Sequence, residues 1–202
     1  MKDTLVVATH NQGKLREIRD LLAPLSIAVT SAGELGLPEP VEDGDSFIAN
    51  AEIKSVAAAR AAKLTALSDD SGLVVNALNG QPGIYSARWA GENKDFNVAM
   101  KRVWDELQAK NATDLSAYFI CVLSLCTPDG KTVNFEGRVN GTLVYPPRGE
   151  NGFGYDAMFI PDGHFLTFGQ MDPSAKHAIS HRAIAFAKFV DYMCSNTKKA
   201  AS

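Results

Sequence analysis

The chain has 202 residues, 46% hydrophobic and 21% charged, enough to bury a sizeable core in one domain or two closely packed lobes. A formal net charge of −3 and a pI near 5.8 argue against the broad basic surface that binds nucleic-acid polymers, while leaving room for a local cluster of cations around a small anion. An apolar strand begins within a few residues of Met1, and no apolar run approaches the ~20 residues of a membrane span, so neither signal peptide nor membrane segment is expected and the expected location is the cytoplasm.

The run "LVVAT" (5–9) is apolar and β-branched, and is followed by the polar "HNQGK" and then by Leu15, Ile18, Leu21, Leu22 and Leu25 at helical spacing. This predicts a strand, a loop and a helix. The loop "THNQGK" (9–14) sets Thr9, Asn11, a flexible Gly13 and Lys14 at a helix N-terminus, where free backbone N–H groups attract phosphate. Taken alone, the loop reads equally well as helix capping by Thr9 and Asn11 beside a solvated lysine. "IAVTSA" (27–32) predicts a second strand, and "GELGLPEPVEDGDS" a long loop of the kind that often carries function. From 46 to 63 the chain is rich in alanine, with Ser46 as N-cap and Ile48, Ala51, Ile53, Val56 and Ala59 as the expected packing face.

The segment "ALSDDSGLVV" (66–75) reads as buried strand interrupted by Asp69, Asp70 and Ser71. Adjacent ionised carboxylates entering an apolar layer repel each other and lose hydration, so they require a cation, hydrogen bonds or a raised pKa. "LVVNAL" (73–78) then predicts a strand and "NGQPG" a turn. Residues 95–110 place Phe96, Met100, Val103, Trp104 and Leu107 on one helical face.

Between 117 and 144 apolar and polar positions alternate around Thr127, Pro128, Asp129 and Gly130, which predicts a β-hairpin with long arms. Cys121 and Cys126, five apart on a strand, point to opposite faces and cannot chelate one ion together; with Cys194 they are expected to be buried reduced thiols. "YDAMFI" (155–160) predicts a further strand. "HAISHRAIAFAKFVDYM" (177–193) predicts a closing helix packed through Ile184, Ala187, Phe189 or Val190, and Met193. Helices and strands alternate early and strands cluster late, which predicts a mixed sheet covered by helices. Ligands in such folds sit beyond strand ends, where the first loop, the acidic loop and "DDSG" are expected to lie.

Two familiar patterns are discounted. "DGKT" (129–132) lacks the glycine a P-loop needs at 125, where Leu125 stands, and precedes a strand rather than a helix. "GFGYDA" (152–157) fits G-x-G-x-x-A, but no clear strand precedes it and β-like "AMFI" follows. Downstream, "SAKHAISHR" (174–182) collects Lys176, Ser180, His181 and Arg182, while "FGYD" supplies Phe153, Gly154, Tyr155 and Asp156. Aromatic faces stack on bases and cations bind phosphates. The competing reading is core packing for Phe153 and Tyr155, and a surface or capping role for His181.

In order and spacing, "THNQGK", "SDDSGLVVNALNGQPGIYSARWAG", "GFGYD" and "KHAISHR" resemble the inosine triphosphate pyrophosphatase family, the house-cleaning enzymes for dITP and XTP, over nearly the whole chain. The resemblance implies an α/β fold with a long mixed β-sheet flanked by helices, forming two lobes around a nucleotide-binding cleft within a single domain spanning 1–202, usually as a homodimer. It also implies hydrolysis of dITP, ITP and XTP to monophosphate and pyrophosphate with Mg²⁺. The partner is then a small-molecule purine nucleoside triphosphate, not a nucleic-acid polymer or a membrane.

Carried over by motif, Thr9, His10, Asn11, Gln12, Gly13, Lys14 and Lys176 would bind the triphosphate. Glu42 and Asp70 would hold the metal, with Asp70 also the proton acceptor. Ser71, Phe153, Gly154, Tyr155, Asp156, His181 and Arg182 would bind substrate, chiefly around the base, and Asp69 is expected to support the site. His10 stands where the family loop often has a small residue, and "MDPSAK" is a less acidic approach to Lys176 than in many relatives. Two other readings compete. The similarly folded septum-formation inhibitor family usually carries Ser and Arg in the first loop, and a non-hydrolysing nucleotide sensor would have no use for the whole acidic set.

Overall fold

The computed structural model describes residues 4–9, 12–25 and 27–200. In chain order its elements are β1 (Thr4–Val7), α1 (Gln12–Leu22), β2 (Ala28–Ser31), α2 (Phe47–Ala62), β3 (Ala66–Val75), α3 (Phe96–Ala109), β4 (Ser116–Cys126), β5 (Thr132–Leu143), β6 (Phe159–Pro161), α4 (Pro173–Ile179) and α5 (His181–Ala200). The strands form one sheet in the order β2-β1-β3-β4-β5-β6. β1 runs parallel to both β2 and β3, whereas β5 and β6 are antiparallel, so the sheet is mixed as the sequence predicts.

The chain forms two compact units, residues 1–70, 122–136 and 185–202 in one and residues 71–121 and 137–184 in the other. In the first, β1 lies between two parallel neighbours and is buried on both faces, which is why its sequence is a continuous apolar run. α1 turns Leu15, Ile18 and Leu22 inward at the expected helical spacing. Val6, Ala8, Ala58, Ala59, Ala66 and Cys126 form a small-residue core that lets α2 approach closely.

The core of the second unit is larger and aromatic. Leu73, Val75, Met100, Val103, Leu107, Phe119, Phe159 and Phe168 belong to it, and the rings of Phe119 and Phe159 lie 4.6 Å apart between centroids. α3 presents the predicted face, capped at its start by Asp95, whose carboxylate accepts from the Asn97 N–H.

Several expectations are corrected. β3 runs unbroken through Asp69, Asp70 and Ser71 and ends at Val75, while Asn76–Leu78 forms a 3-10 turn, so the acidic pair is inside a strand and not at its end. Residues Asp156–Met158 are a 3-10 turn as well, leaving only Phe159–Pro161 as strand, and the Asp156 carboxylate is tied back to the preceding loop by the Phe153 N–H. The closing helix is two helices. Ser180 is extended there (φ −69°, ψ 152°), and its hydroxyl accepts from the Ala183 N–H at 3.1 Å, ending α4 and capping α5.

The inward face of α5 is Ala185, Phe186 and Phe189, with Ile184 and Ala187 exposed. α2 buries Asn50, Ala51, Lys54, Ser55, Ala58 and Ala59, with Ile48 exposed; on its inner face Lys54 meets Asp70 of β3, Ser55 pairs with Ser124 of β4, and Asn50 accepts from the Gly44 N–H. Cys121 and Cys126 are buried as expected, but Cys194 is exposed.

Candidate active site

β1 pairs with β3 through Val6↔Ala66 and Val7↔Leu67, with bonds from the Val6 N–H to the Thr65 carbonyl and from the Ala8 N–H to the Leu67 carbonyl. The chain then leaves the sheet toward α1. β3 continues, which carries Asp69 and Asp70 beyond the carboxyl end of its neighbour. Consecutive strand residues point to opposite faces, and each aspartate meets a lysine from a different helix. Lys14 of α1 reaches Asp69 Oδ2 at 3.1 Å; Lys54 of α2 donates to Asp70 Oδ1 at 3.2 Å. Lys54 is also 3.2 Å from Glu42 Oε1, so one ammonium joins the acidic loop to the strand.

The set holds three carboxylates, Glu42, Asp69 and Asp70, against two ammonium groups, Lys14 and Lys54. Burial raises the pKa of Asp70 above the ordinary carboxylate range; Lys54 and Lys14 oppose the shift, and Glu42 and Asp69 add to it. For Lys54, burial alone would lower the pKa, but Asp70, Asp69 and Glu42 together hold it above its usual value. Asp70 Oδ2 is buried and makes no hydrogen bond among the described residues.

This donor set fits Mg²⁺, a hard cation that takes carboxylate oxygens and commonly shares the rest of its shell with water and substrate phosphates. Glu42 and Asp70 are already gathered around one positive charge, and Asp70 Oδ2 has capacity to spare. Among the described residues no group of three or more His, Cys, Asp or Glu side chains is arranged to hold a metal. A metal arriving with a triphosphate needs only one or two carboxylates from the protein.

The second unit assembles the remaining expected residues. Asp156 is buried, and its Oδ2 accepts from the Phe153 N–H at 2.8 Å and from Lys176 Nζ at 2.7 Å. Gly152 makes this loop possible: its φ is +78°, and a Cβ there would lie 2.1 Å from Asp156 Oδ2. The Phe153 ring, 37% exposed, has Lys176 Nζ 5.0 Å and Arg182 Cζ 5.9 Å from its centroid. Arg182 Nη2 donates to Ser71 Oγ at 3.1 Å, and the buried His181 ring stacks on Phe119 at 4.9 Å.

Tyr155 takes the core-packing role. It is buried, its hydroxyl donates to the Ser86 carbonyl at 2.8 Å, and Phe96 meets its ring edge-on at 5.4 Å. Burial pushes its hydroxyl pKa far up, against a smaller opposing effect of Arg102, so it remains a donor.

Of the first-loop residues, His10 and Asn11 lie outside the described residues, as does the side chain of Gln12. Thr9 is buried, and Gly13 and Lys14 stand in the first turn of α1. Sequence reasoning missed Lys54. The signal was present, because positions 50, 51, 54, 55, 58 and 59 form one helical stripe in which a lysine falls among small residues. It also missed Ser86, which accepts from the Leu73 N–H and donates to the Gly83 carbonyl, fixing the segment that receives Tyr155.

The Ham1 family model matches residues 5–192. A curated relative from Zymomonas mobilis, a dITP/XTP pyrophosphatase, is 59% identical over 187 residues, spanning 92% of this chain and 90% of that protein. Another of the same description, from Rhodospirillum centenum, is 57% identical over 191 residues and spans 93% of each. Among solved structures, a HAM1 protein from Coxiella burnetii is similar with a TM-score of 0.89 and 37% identity, covering 95% of this chain and 98% of its own.

Proposed function

Because this chain belongs to the Ham1 family, we infer that it is a nucleoside triphosphate pyrophosphohydrolase, converting dITP, ITP and XTP with water to the monophosphate and pyrophosphate. The observation that carries the chemistry is Asp70, a buried carboxylate whose pKa is raised and whose Oδ2 makes no hydrogen bond among the described residues. That oxygen can take the proton of a water attacking the α-phosphorus.

Glu42 and Asp70 are the residues that would hold Mg²⁺. When bound, the metal offsets charge on the phosphate oxygens and on the departing pyrophosphate. Lys54 keeps the two carboxylates together at 3.2 Å from each. Lys14, the backbone N–H groups opening α1 and Lys176 are assigned to the phosphates.

For the base, Phe153 offers the exposed ring, and His181 and Arg182 are the proposed donors to the oxygen at position 6 of hypoxanthine and xanthine. Adenine carries an amino group there. A buried donor facing it is left unpaired, and discrimination on the order of 10⁴ is within reach of such a mismatch. A homodimer is the proposed working form, which sedimentation of the purified protein checks.

Hydrolysis of ITP in ¹⁸O-labelled water tests the reaction. Attack at the α-phosphorus puts the label in the monophosphate and leaves pyrophosphate unlabelled. Labelled pyrophosphate, or orthophosphate as the first product, would contradict it.

A further inference from the structure

Glu42 stands in an irregular loop, whereas Asp70 is fixed inside β3, so the two can act together only if that loop is held. Lys54 supplies attraction, but an ammonium on a long flexible stem does not fix a backbone. One turn earlier on the same face of α2 is Asn50, 1% exposed, whose side-chain carbonyl accepts from the Gly44 N–H at 2.9 Å. The approach depends on glycine, since a Cβ at position 44 would lie 2.7 Å from Asn50 Oδ1 and 2.8 Å from Ala49 Cβ. The helix therefore grips the acidic loop twice, at the Gly44 backbone and at the Glu42 carboxylate.

We propose that Asn50, through its hydrogen bond to Gly44, is the positioning residue that sets Glu42 beside Asp70 for divalent-cation binding. The proposal rests on the reading of Glu42 as a metal-site carboxylate. A purely structural Asn50, serving only to seat the start of α2, would affect stability and all ligands alike. A positioning Asn50 acts through Glu42, and its effect appears only when the metal is present.

The test measures binding of a non-hydrolysable ITP analogue by calorimetry, with and without Mg²⁺, and the half-saturating Mg²⁺ concentration for turnover. Asn50→Ala is expected to weaken the analogue about tenfold with Mg²⁺ and less than about twofold without it, and to raise half-saturating Mg²⁺ by a similar factor. Gly44→Ala, which breaks the same contact from the other side, is expected to give the same signature, and either variant suffices if the other does not fold. In a Glu42→Gln background Asn50→Ala adds no further loss. Equal weakening with and without Mg²⁺, or an undiminished loss in that background, overturns the proposal. If Glu42→Gln alone changes neither measurement, the metal role of Glu42 falls and the proposal falls with it.

Discussion

Asp70 and Lys54 have opposite effects on stability although both titrate higher in the fold than in the free chain. For Asp70 the raised pKa means that its contribution to stability is complete below the ordinary carboxylate range and is lost as pH rises through the folded value. Its charged form is therefore a burden on the fold. Asp70→Asn should lower kcat by at least ~100-fold, as expected for loss of a general base, yet melt no lower than the parent protein at pH 7. Calorimetry and turnover on one preparation check both halves.

Lys54 behaves the other way at neutral pH. Its contribution is fully present below the unfolded lysine pKa and is lost only as pH rises through the still higher folded value. Removing it in Lys54→Met leaves Glu42 and Asp70 facing each other, at a loss on the order of 3 kcal/mol for breaking a mostly buried pair. That loss should shrink at pH 4, because Asp70, whose pKa is raised, takes up a proton as the pH falls. A denaturation series at the two pH values checks the sign, and a loss that grows on acidification would contradict it.

At the level of elements, the break between α4 and α5 governs three of the assigned residues, Lys176 on one side and His181 and Arg182 on the other. Ser180 makes the break by capping α5. Ser180→Ala should destabilise the protein by about 1 kcal/mol, whereas Ser180→Asp should retain most of the stability because a carboxylate also accepts from the Ala183 N–H. Chemical denaturation of the two variants distinguishes a cap from a filler.

The same break shows where the sequence was silent. "HAISHRAIAFAKF" keeps a helical period through Ser180, and a serine inside such a run gives little sign of whether it caps or continues. β1 was legible because burial on both faces demands an unbroken apolar run, and α3 because its one buried face repeats cleanly. β3 was misjudged at Asp69 and Asp70, since charges usually mark strand ends and here each is met by a lysine that only tertiary structure brings. For α2 the expected face of Ile48, Ala51, Ile53, Val56 and Ala59 holds at Ala51 and Ala59, while Ile48 is exposed and the buried stripe is completed by Asn50, Lys54, Ser55 and Ala58. The motif residues themselves were legible. Which of them pair with one another, as Lys176 does with Asp156 and Arg182 with Ser71, was not, because these partners are 20 and 111 residues apart.

At the scale of the whole molecule, the two units divide the assigned chemistry. The first carries Glu42, Asp70 and Lys14; the second carries Phe153, Asp156, Lys176, His181 and Arg182; and β3 passes from Asp70 to Ser71 where one unit gives way to the other. An enzyme that only hydrolysed triphosphates would need the first set together with Lys176. Selection of unusual purines rests on the proposed donors His181 and Arg182, so the substrate profile of the intact protein bears on the proposed function more directly than any single variant. The decisive measurement is kcat/KM for dITP, XTP, dATP and dGTP with Mg²⁺, with pyrophosphate and orthophosphate quantified separately. dITP and XTP are expected to exceed dATP by a factor on the order of 10³ to 10⁴, with pyrophosphate released and no orthophosphate. Comparable turnover of dATP, or release of orthophosphate from dITP, would contradict it.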